Sequence, residues 1–279
     1  MKNLTVLLAA SFLCFYANGQ KISCCPASAT ESFSQLASDK KFAMSHQNPL
    51  PFTYQSENGK SIAFRAADGN DAYGWEIKSR NPSNNYLFVI HEWWGLNDYI
   101  KKESEQLWKD LGNINVIALD LYDKKVAANR EDAAKFMQSV STDRAYAIIK
   151  GALDYVGKNA KIYTIGWCFG GGWSLQTALL AGNQLEGCIL YYGMPEKDIE
   201  KLKTLHADVL GIFGNKDQWI NPKVVDEFSE NMRKAGKKLL VKRYEADHAF
   251  ANPSNPSFDK AAKEDAYKNT IMFLKQRMK

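Results

Sequence analysis

The chain has little of what marks the less compact classes of protein. Its 279 residues include only eight prolines and eighteen glycines, too few for a linker-rich or collagenous chain. No five like charges run together and the net charge is +5, so no nucleic-acid footprint is expected. No apolar run reaches the ~20 residues that a membrane helix needs, which argues against a multi-pass membrane protein. Five cysteines do not make a disulfide-dense scaffold, and only four histidines are present. What is there, 45% hydrophobic and 24% charged residues, is the balance of a globular chain of α/β length, expected as a single catalytic domain.

The N-terminus reads as an address. Met1 and Lys2 precede the uncharged run Leu4–Phe15, and Ala17-Asn18-Gly19 places small residues three and one before Gln20. A basic start, a short apolar core and a small-x-small site describe a secretory signal peptide, residues 1–19, cleaved after Gly19. The expectation is an exported protein, periplasmic or secreted, with no integral membrane segment in the mature chain. Lipidation is disfavoured, because Leu13 and Lys21 stand where a lipoprotein signal wants small or aliphatic residues. Cys24 and Cys25 are adjacent, and a disulfide between neighbours is poorly accommodated by its usual Cα span of ~4.4–6.8 Å. Cys188, inside the apolar run Cys188-Ile-Leu-Tyr191, is expected to be a buried small hydrophobe.

Residues 20–57 are polar and irregular in texture and are expected to form a loosely packed N-terminal extension to a domain spanning 58–279. Ser61–Ala66 and Tyr73–Ser79 flank Asp68-Gly-Asn-Asp71, the pattern of a β-hairpin. Thereafter short apolar strands alternate with helical periodicity. Strands are expected at 85–90, 115–119, 161–165, 187–192, 209–213 and 239–244. Helices are expected near 99–108, 130–139, 142–157, 170–181, 222–235 and 259–277. This rhythm implies an α/β fold with a mostly parallel sheet covered on both faces.

The segment that carries chemistry is Ile165-Gly-Trp-Cys-Phe-Gly-Gly-Gly172. Gly166-x-Cys168-x-Gly170 sits between an expected strand and an expected helix. A sharp strand–turn–helix elbow needs small residues two before and two after its exposed nucleophile, and the following helix N-terminus favours a thiolate. Taken alone, the pattern is equally that of a buried cysteine in a glycine-rich turn. Asp217 lies just past the strand ending at Phe213, and His248 follows the last strand, where open α/β sheets collect functional groups. His46 lies in the irregular extension, His206 in a polar segment, and His91 at a strand end before Glu92. The base is therefore assigned to His248. The order Cys168, Asp217, His248 is the nucleophile–acid–histidine order of α/β-hydrolases.

With those residues in place, the sequence resembles the dienelactone hydrolase family. The resemblance rests on His91-Glu-Trp-Trp-Gly95, Leu119-Asp-Leu-Tyr122, Gly166-Trp-Cys-Phe-Gly-Gly171, Gly214-Asn-Lys-Asp217 and His248-Ala-Phe250, in the family's order across roughly residues 60–278. It implies an α/β-hydrolase fold and a carboxylic ester or lactone hydrolase acting on a small molecule. Cys168 would be the nucleophile, His248 the base and Asp217 its orienting partner. It further implies that Glu92 contacts the resting thiol and controls its ionisation. The backbone N–H groups of Trp93 and Phe169 would form the oxyanion hole. No cofactor and no metal are expected; His91-Glu92 has Gly95 where H-E-x-x-H needs a second histidine. A monomer is expected.

Two features depart from the family pattern. Its dienelactone-cleaving members clamp the substrate carboxylate with arginines, one shortly after the catalytic histidine, where this chain has Asn252; Arg130 is the other candidate. Dienelactone breakdown is also a cytoplasmic step in that family, whereas this chain carries an export signal. Trp93, Trp94, Trp167 and Trp173 crowd the motif segments and suggest an apolar or aromatic acyl pocket. The competing readings are a catalytically silent binding module of the same fold and a thiol redox protein, the latter lacking a C-x-x-C partner for Cys168.

Overall fold

The computed structural model describes residues 29–278. The segment 1–19 expected as a signal peptide, and Cys24 and Cys25, lie outside the described residues. Eight strands form one sheet in the order β1-β2-β4-β3-β5-β6-β7-β8. β1 (Gly59–Arg65) and β2 (Asp71–Ile77) make the expected hairpin, set two residues earlier than the sequence pattern placed it. Its turn is closed by Gly69 N–H donating to the Ala66 carbonyl at 3.0 Å, with Gly69 at φ +82°, a conformation open to glycine.

β3 (Asn85–Ile90), β4 (Asn115–Asp120), β5 (Lys161–Trp167), β6 (Leu185–Tyr191), β7 (Val209–Gly214) and β8 (Leu239–Tyr244) are mutually parallel. β4 and β7 are buried at every residue, because helices cover both faces of a parallel sheet. The covering helices are α3 (Asp98–Leu111), α4 (Arg130–Ser139), α5 (Thr142–Val156), α6 (Phe169–Ala181), α7 (Ile199–Leu202), α8 (Pro222–Lys234) and α9 (Lys260–Arg277). Asn97, Asn129, Ser141, Asn221 and Asp259 each cap a helix by accepting from backbone N–H groups of its first turn, which fixes where these helices begin. Strand order reverses at β3: the chain leaves it for β4 on one side and returns to β5 on the other. The crevice beyond the carboxyl ends of β3 and β5 is where such sheets place ligands. Among the described residues, no helix is long and apolar enough to cross a membrane.

The N-terminal extension differs from its expected loose packing. α1 is Ala29–Gln35 and α2 is Lys40–Ser45. Asp39 caps α2, accepting from Lys41 N–H at 2.8 Å. Phe33, Phe42 and His46 are buried. The polar composition of this stretch hid its few buried apolar residues, Phe33, Ala37 and Phe42. Residues further on are fastened to α3. Tyr54 N–H donates to Asp98 at 2.9 Å, and Glu105 accepts from Tyr54 Oη at 2.6 Å, Asn58 Nδ2 at 2.7 Å and Ser56 Oγ. The extension is part of the folded body and lies over the carboxyl ends of the strands.

Candidate active site

The turn from β5 into α6 is built around two glycines. A Cβ on Gly166 would stand 2.0 Å from the Gly170 carbonyl oxygen, and one on Gly170 would stand 2.3 Å from that of Ile90. Only glycine lets the strand, the turn and the end of β3 approach so closely. Cys168 occupies the apex at φ +57°, a conformation that costs an L-residue of order 1–3 kcal/mol and is found at functional sites. Its N–H donates to the Tyr191 carbonyl at 3.0 Å, and its carbonyl accepts from Gly171 N–H at 3.0 Å. The Phe169 backbone N–H, in the first turn of α6, favours the ionised form of the Cys168 sulfur.

Asp217 and His248 reach Cys168 from the ends of β7 and β8. His248 Nδ1 lies 2.6 Å from Asp217 Oδ2, and His248 Nε2 lies 3.3 Å from Cys168 Sγ. The other Asp217 oxygen accepts from the N–H groups of Trp219 at 2.8 Å and Ile220 at 2.9 Å. Asp217 is an acceptor only, so His248 Nδ1 carries the proton and Nε2 faces the sulfur. Burial alone would depress the His248 pKa, but Asp217 and the Cys168 sulfur outweigh it and hold it well above an ordinary imidazole. Burial pushes the Cys168 thiol upward against the opposing pull of His248, and the Glu92 carboxylate adds to the rise. For Asp217 the bonds from His248 and the two backbone N–H groups prevail over burial and keep the carboxyl below its usual range.

Glu92 follows β3 and is buried. Its Oε2 accepts from Asn252 Nδ2 at 2.5 Å and its Oε1 from Tyr192 Oη at 3.5 Å. Burial lifts its pKa to about 7, against the stabilising proximity of His248 and these two hydrogen bonds. Asn252, noted in the sequence for standing where an arginine was expected, is thus engaged by Glu92. Arg130 starts α4, partly exposed and paired with Glu131 at 3.3 Å. His91 bonds the Glu92 carbonyl through Nδ1 at 2.6 Å, and its Nε2 accepts from Leu121 N–H at 3.1 Å. It ties the ends of β3 and β4 together.

A cavity of about 140 Å³ is lined by Glu92, Tyr99, Lys102, Trp167, Asn252 and Lys263 among others. Of the four tryptophans singled out in the sequence, Trp167 lines it. Trp93 and Trp94 pack edge-on against each other, and Trp173 packs against Tyr146 and Phe169. Cys188 is buried, 3.7 Å from Ser174 Oγ, its thiol pushed up to about 11 by burial; it has the inert packing role expected of it.

One residue set aside in the sequence sits in the site. His46 packs against Trp93 at 4.5 Å, Phe42 at 4.5 Å and His248 at 5.4 Å between ring centroids. His46 is the extended residue just past α2, and its ring turns back to the Phe42 carbonyl, a contact that no helical period in the sequence marks.

A parallel sheet with its reversal at β3, a strained Cys168 elbow, and an acid and a histidine after the last two strands define the α/β-hydrolase class. The chain matches the dienelactone hydrolase family over residues 74–278 and belongs to that family. It is 28% identical over 202 residues to Protein usf of Aquifex pyrophilus, an alignment covering 68% of this chain and 87% of that one. It is 23% identical over 212 residues to carboxymethylenebutenolidase 1 of Cupriavidus pinatubonensis, covering 71% and 88%. Among solved structures it is similar to the dienelactone hydrolase-like promiscuous phosphotriesterase P91 from metagenomic libraries. That likeness has a TM-score of 0.67 at 20% identity and covers 79% of this chain and 99% of the other.

Proposed function

We propose that this protein cleaves small carboxylic esters or lactones through a Cys168–His248–Asp217 triad and an acyl-thioester intermediate. The observation that carries the reading is the unbroken chain of contacts from Asp217 Oδ2 through His248 to Cys168 Sγ, at 2.6 and 3.3 Å. His248 Nε2 takes the thiol proton as Sγ attacks the carbonyl carbon. The resulting oxyanion is held by the N–H groups of Phe169 and Trp93, each such donor contributing about 2.7–4 kcal/mol in comparable hydrolases. The tetrahedral species collapses, and the leaving oxygen takes the proton from His248. A water molecule then yields a proton to His248 and attacks the thioester carbon; the sulfur leaves and recovers that proton.

Glu92 acts as a brake on the resting thiol. Its carboxylate raises the thiol pKa by like-charge repulsion, and substrate displaces the carboxylate before His248 generates the nucleophile. Membership of the family and a relative named carboxymethylenebutenolidase support lactones as one substrate class. The bond between Asn252 and Glu92 gives no support to an arginine-type clamp at that position. Turnover of p-nitrophenyl acetate, with a panel of small lactones and aryl acetates run beside Cys168→Ala, tests this reading. Equal turnover by wild type and Cys168→Ala would sink it.

The protein is further proposed to be exported, on the strength of Ala17-Asn-Gly19 after a short apolar run, and to act as a monomer. N-terminal mass spectrometry of exported protein should find Gln20 first. An intact Met1, or a lipid on Cys24 or Cys25, would show the address to be misread.

A further inference from the structure

The two ring nitrogens of His46 are unequally served. Its Nδ1 lies 2.8 Å from the Phe42 carbonyl oxygen. A carbonyl only accepts, so Nδ1 carries the proton and Nε2 presents a lone pair. That Nε2 is buried and has no hydrogen-bond partner among the described residues. An orphaned buried acceptor is costly and asks for an explanation. Protonation does not provide one, because an N–H at that nitrogen would be equally unpartnered.

The surroundings do. A ring nitrogen of His46, one of His248 and Cys168 Sγ all lie within 4.8 Å of one another. His248 has the same arrangement as His46: Nδ1 is bound by Asp217 and Nε2 faces the sulfur. In metal sites, ligating histidines are held in this way, with the far nitrogen donating to a carbonyl or carboxylate that fixes tautomer and ring orientation. A tetrahedral zinc ion with bonds of about 2.0–2.3 Å separates its nitrogen and sulfur ligands by roughly 3.4–3.7 Å. The His248–Cys168 separation of 3.3 Å already has that scale.

We infer that His46, Cys168 and His248 form a three-ligand site for a divalent ion of the zinc class, and that the bound ion reversibly silences the nucleophile. The thiol and the protonated His248 Nε2 release their protons to solvent; the sulfur then binds the metal as thiolate, and His248 Nε2 donates its freed lone pair to the metal and is lost as a base. No electron is transferred. The third ligand comes from the N-terminal extension, outside the family match at 74–278. Metal capture does not depend on whether Cys168 turns over an ester, whereas the silencing of the nucleophile rests on the hydrolase reading.

The test is a titration of metal-free, full-length folded protein with Co²⁺, followed by absorbance, with Zn²⁺ as competitor. One equivalent per chain should bring up a thiolate-to-cobalt charge-transfer band, abolished by Zn²⁺ and absent in Cys168→Ser. His46→Gln and His46→Phe should each weaken Co²⁺ binding by at least about tenfold, the lower end of what losing even an outer-shell partner costs a metal site. In the wild-type chain the nitrogen-15 shift of His46 Nε2 should move on Zn²⁺ addition, a readout that needs no variant to fold. Zn²⁺ should also inhibit ester hydrolysis over the same concentration range, reversed by a chelator. Absence of the band, wild-type affinity in folded His46 variants, or an unmoved His46 Nε2 shift overturns the site. Ester hydrolysis by the metal-free protein reports separately on the hydrolase reading.

Discussion

Asn252 Nδ2 donates to Glu92 Oε2 at 2.5 Å, joining two positions 160 residues apart. One follows the histidine-bearing strand end and the other follows β3, so this contact closes the crevice between the ends of the sheet's two halves. Both residues line the cavity, and the Glu92 carboxylate is near enough to the Cys168 sulfur to raise its pKa.

Glu92→Gln should therefore lower the pH at which Cys168 is alkylated by iodoacetamide. The thiol pKa is raised by burial, and the Glu92 carboxylate raises it further. Removing the charge removes only the second contribution, so thiolate appears at lower pH. The same variant should lose activity faster in peroxide, because thiolate is the oxidisable form. An unchanged alkylation profile together with unchanged peroxide sensitivity leaves Glu92 without this role and leaves the triad untouched.

Asp217→Asn should reduce kcat/KM by several orders of magnitude while the protein stays folded. In a serine–histidine–aspartate enzyme the same exchange costs about 10⁴, through the wrong imidazole tautomer. Steady-state ester hydrolysis and a circular dichroism spectrum of the variant check both halves of the expectation. A loss below tenfold would mean that the 2.6 Å contact with His248 does not set the tautomer.

The extension offers a stability prediction. Phe42 is fully buried against Trp93, Trp219 and His248, so Phe42→Ala should cost about 3–5 kcal/mol in denaturant unfolding. An unchanged midpoint would mean that α2 is dispensable to the folded body.

Gly166→Ala should be worse tolerated than its one added methyl suggests. The new Cβ would meet the Gly170 carbonyl oxygen at 2.0 Å, and backbone cannot step aside as a side chain can. A loss of at least about 3 kcal/mol and no measurable esterase activity are expected. A variant with wild-type melting temperature contradicts the elbow geometry.

How legible the site was depended on the reach of each signal. The strands and the longer helices from β1 to α9 follow from apolar periodicity, because that pattern is local; the four-residue α7 (Ile199–Leu202) is too short to show one. The elbow was legible because Gly166 and Gly170 answer to a steric demand within five residues. Helix α2 was missed because one buried phenylalanine in a stretch of lysine, serine and asparagine leaves almost no periodic signal. His46 was passed over for the same reason, and its value lies in what tertiary packing brings to it: Trp93, His248 and the sulfur of Cys168. The Asn252–Glu92 bond joins residues that no local pattern connects, so Asn252 stood out only as a departure from the family.

The most direct measurement is intact mass spectrometry of protein quenched during turnover of p-nitrophenyl acetate. The account predicts one added acetyl group in the wild-type chain, mapped by peptide sequencing to Cys168, and both adduct and turnover lost in Cys168→Ala. Undiminished turnover by Cys168→Ala, or an acetyl group mapped to another residue as the kinetically competent intermediate, would contradict it.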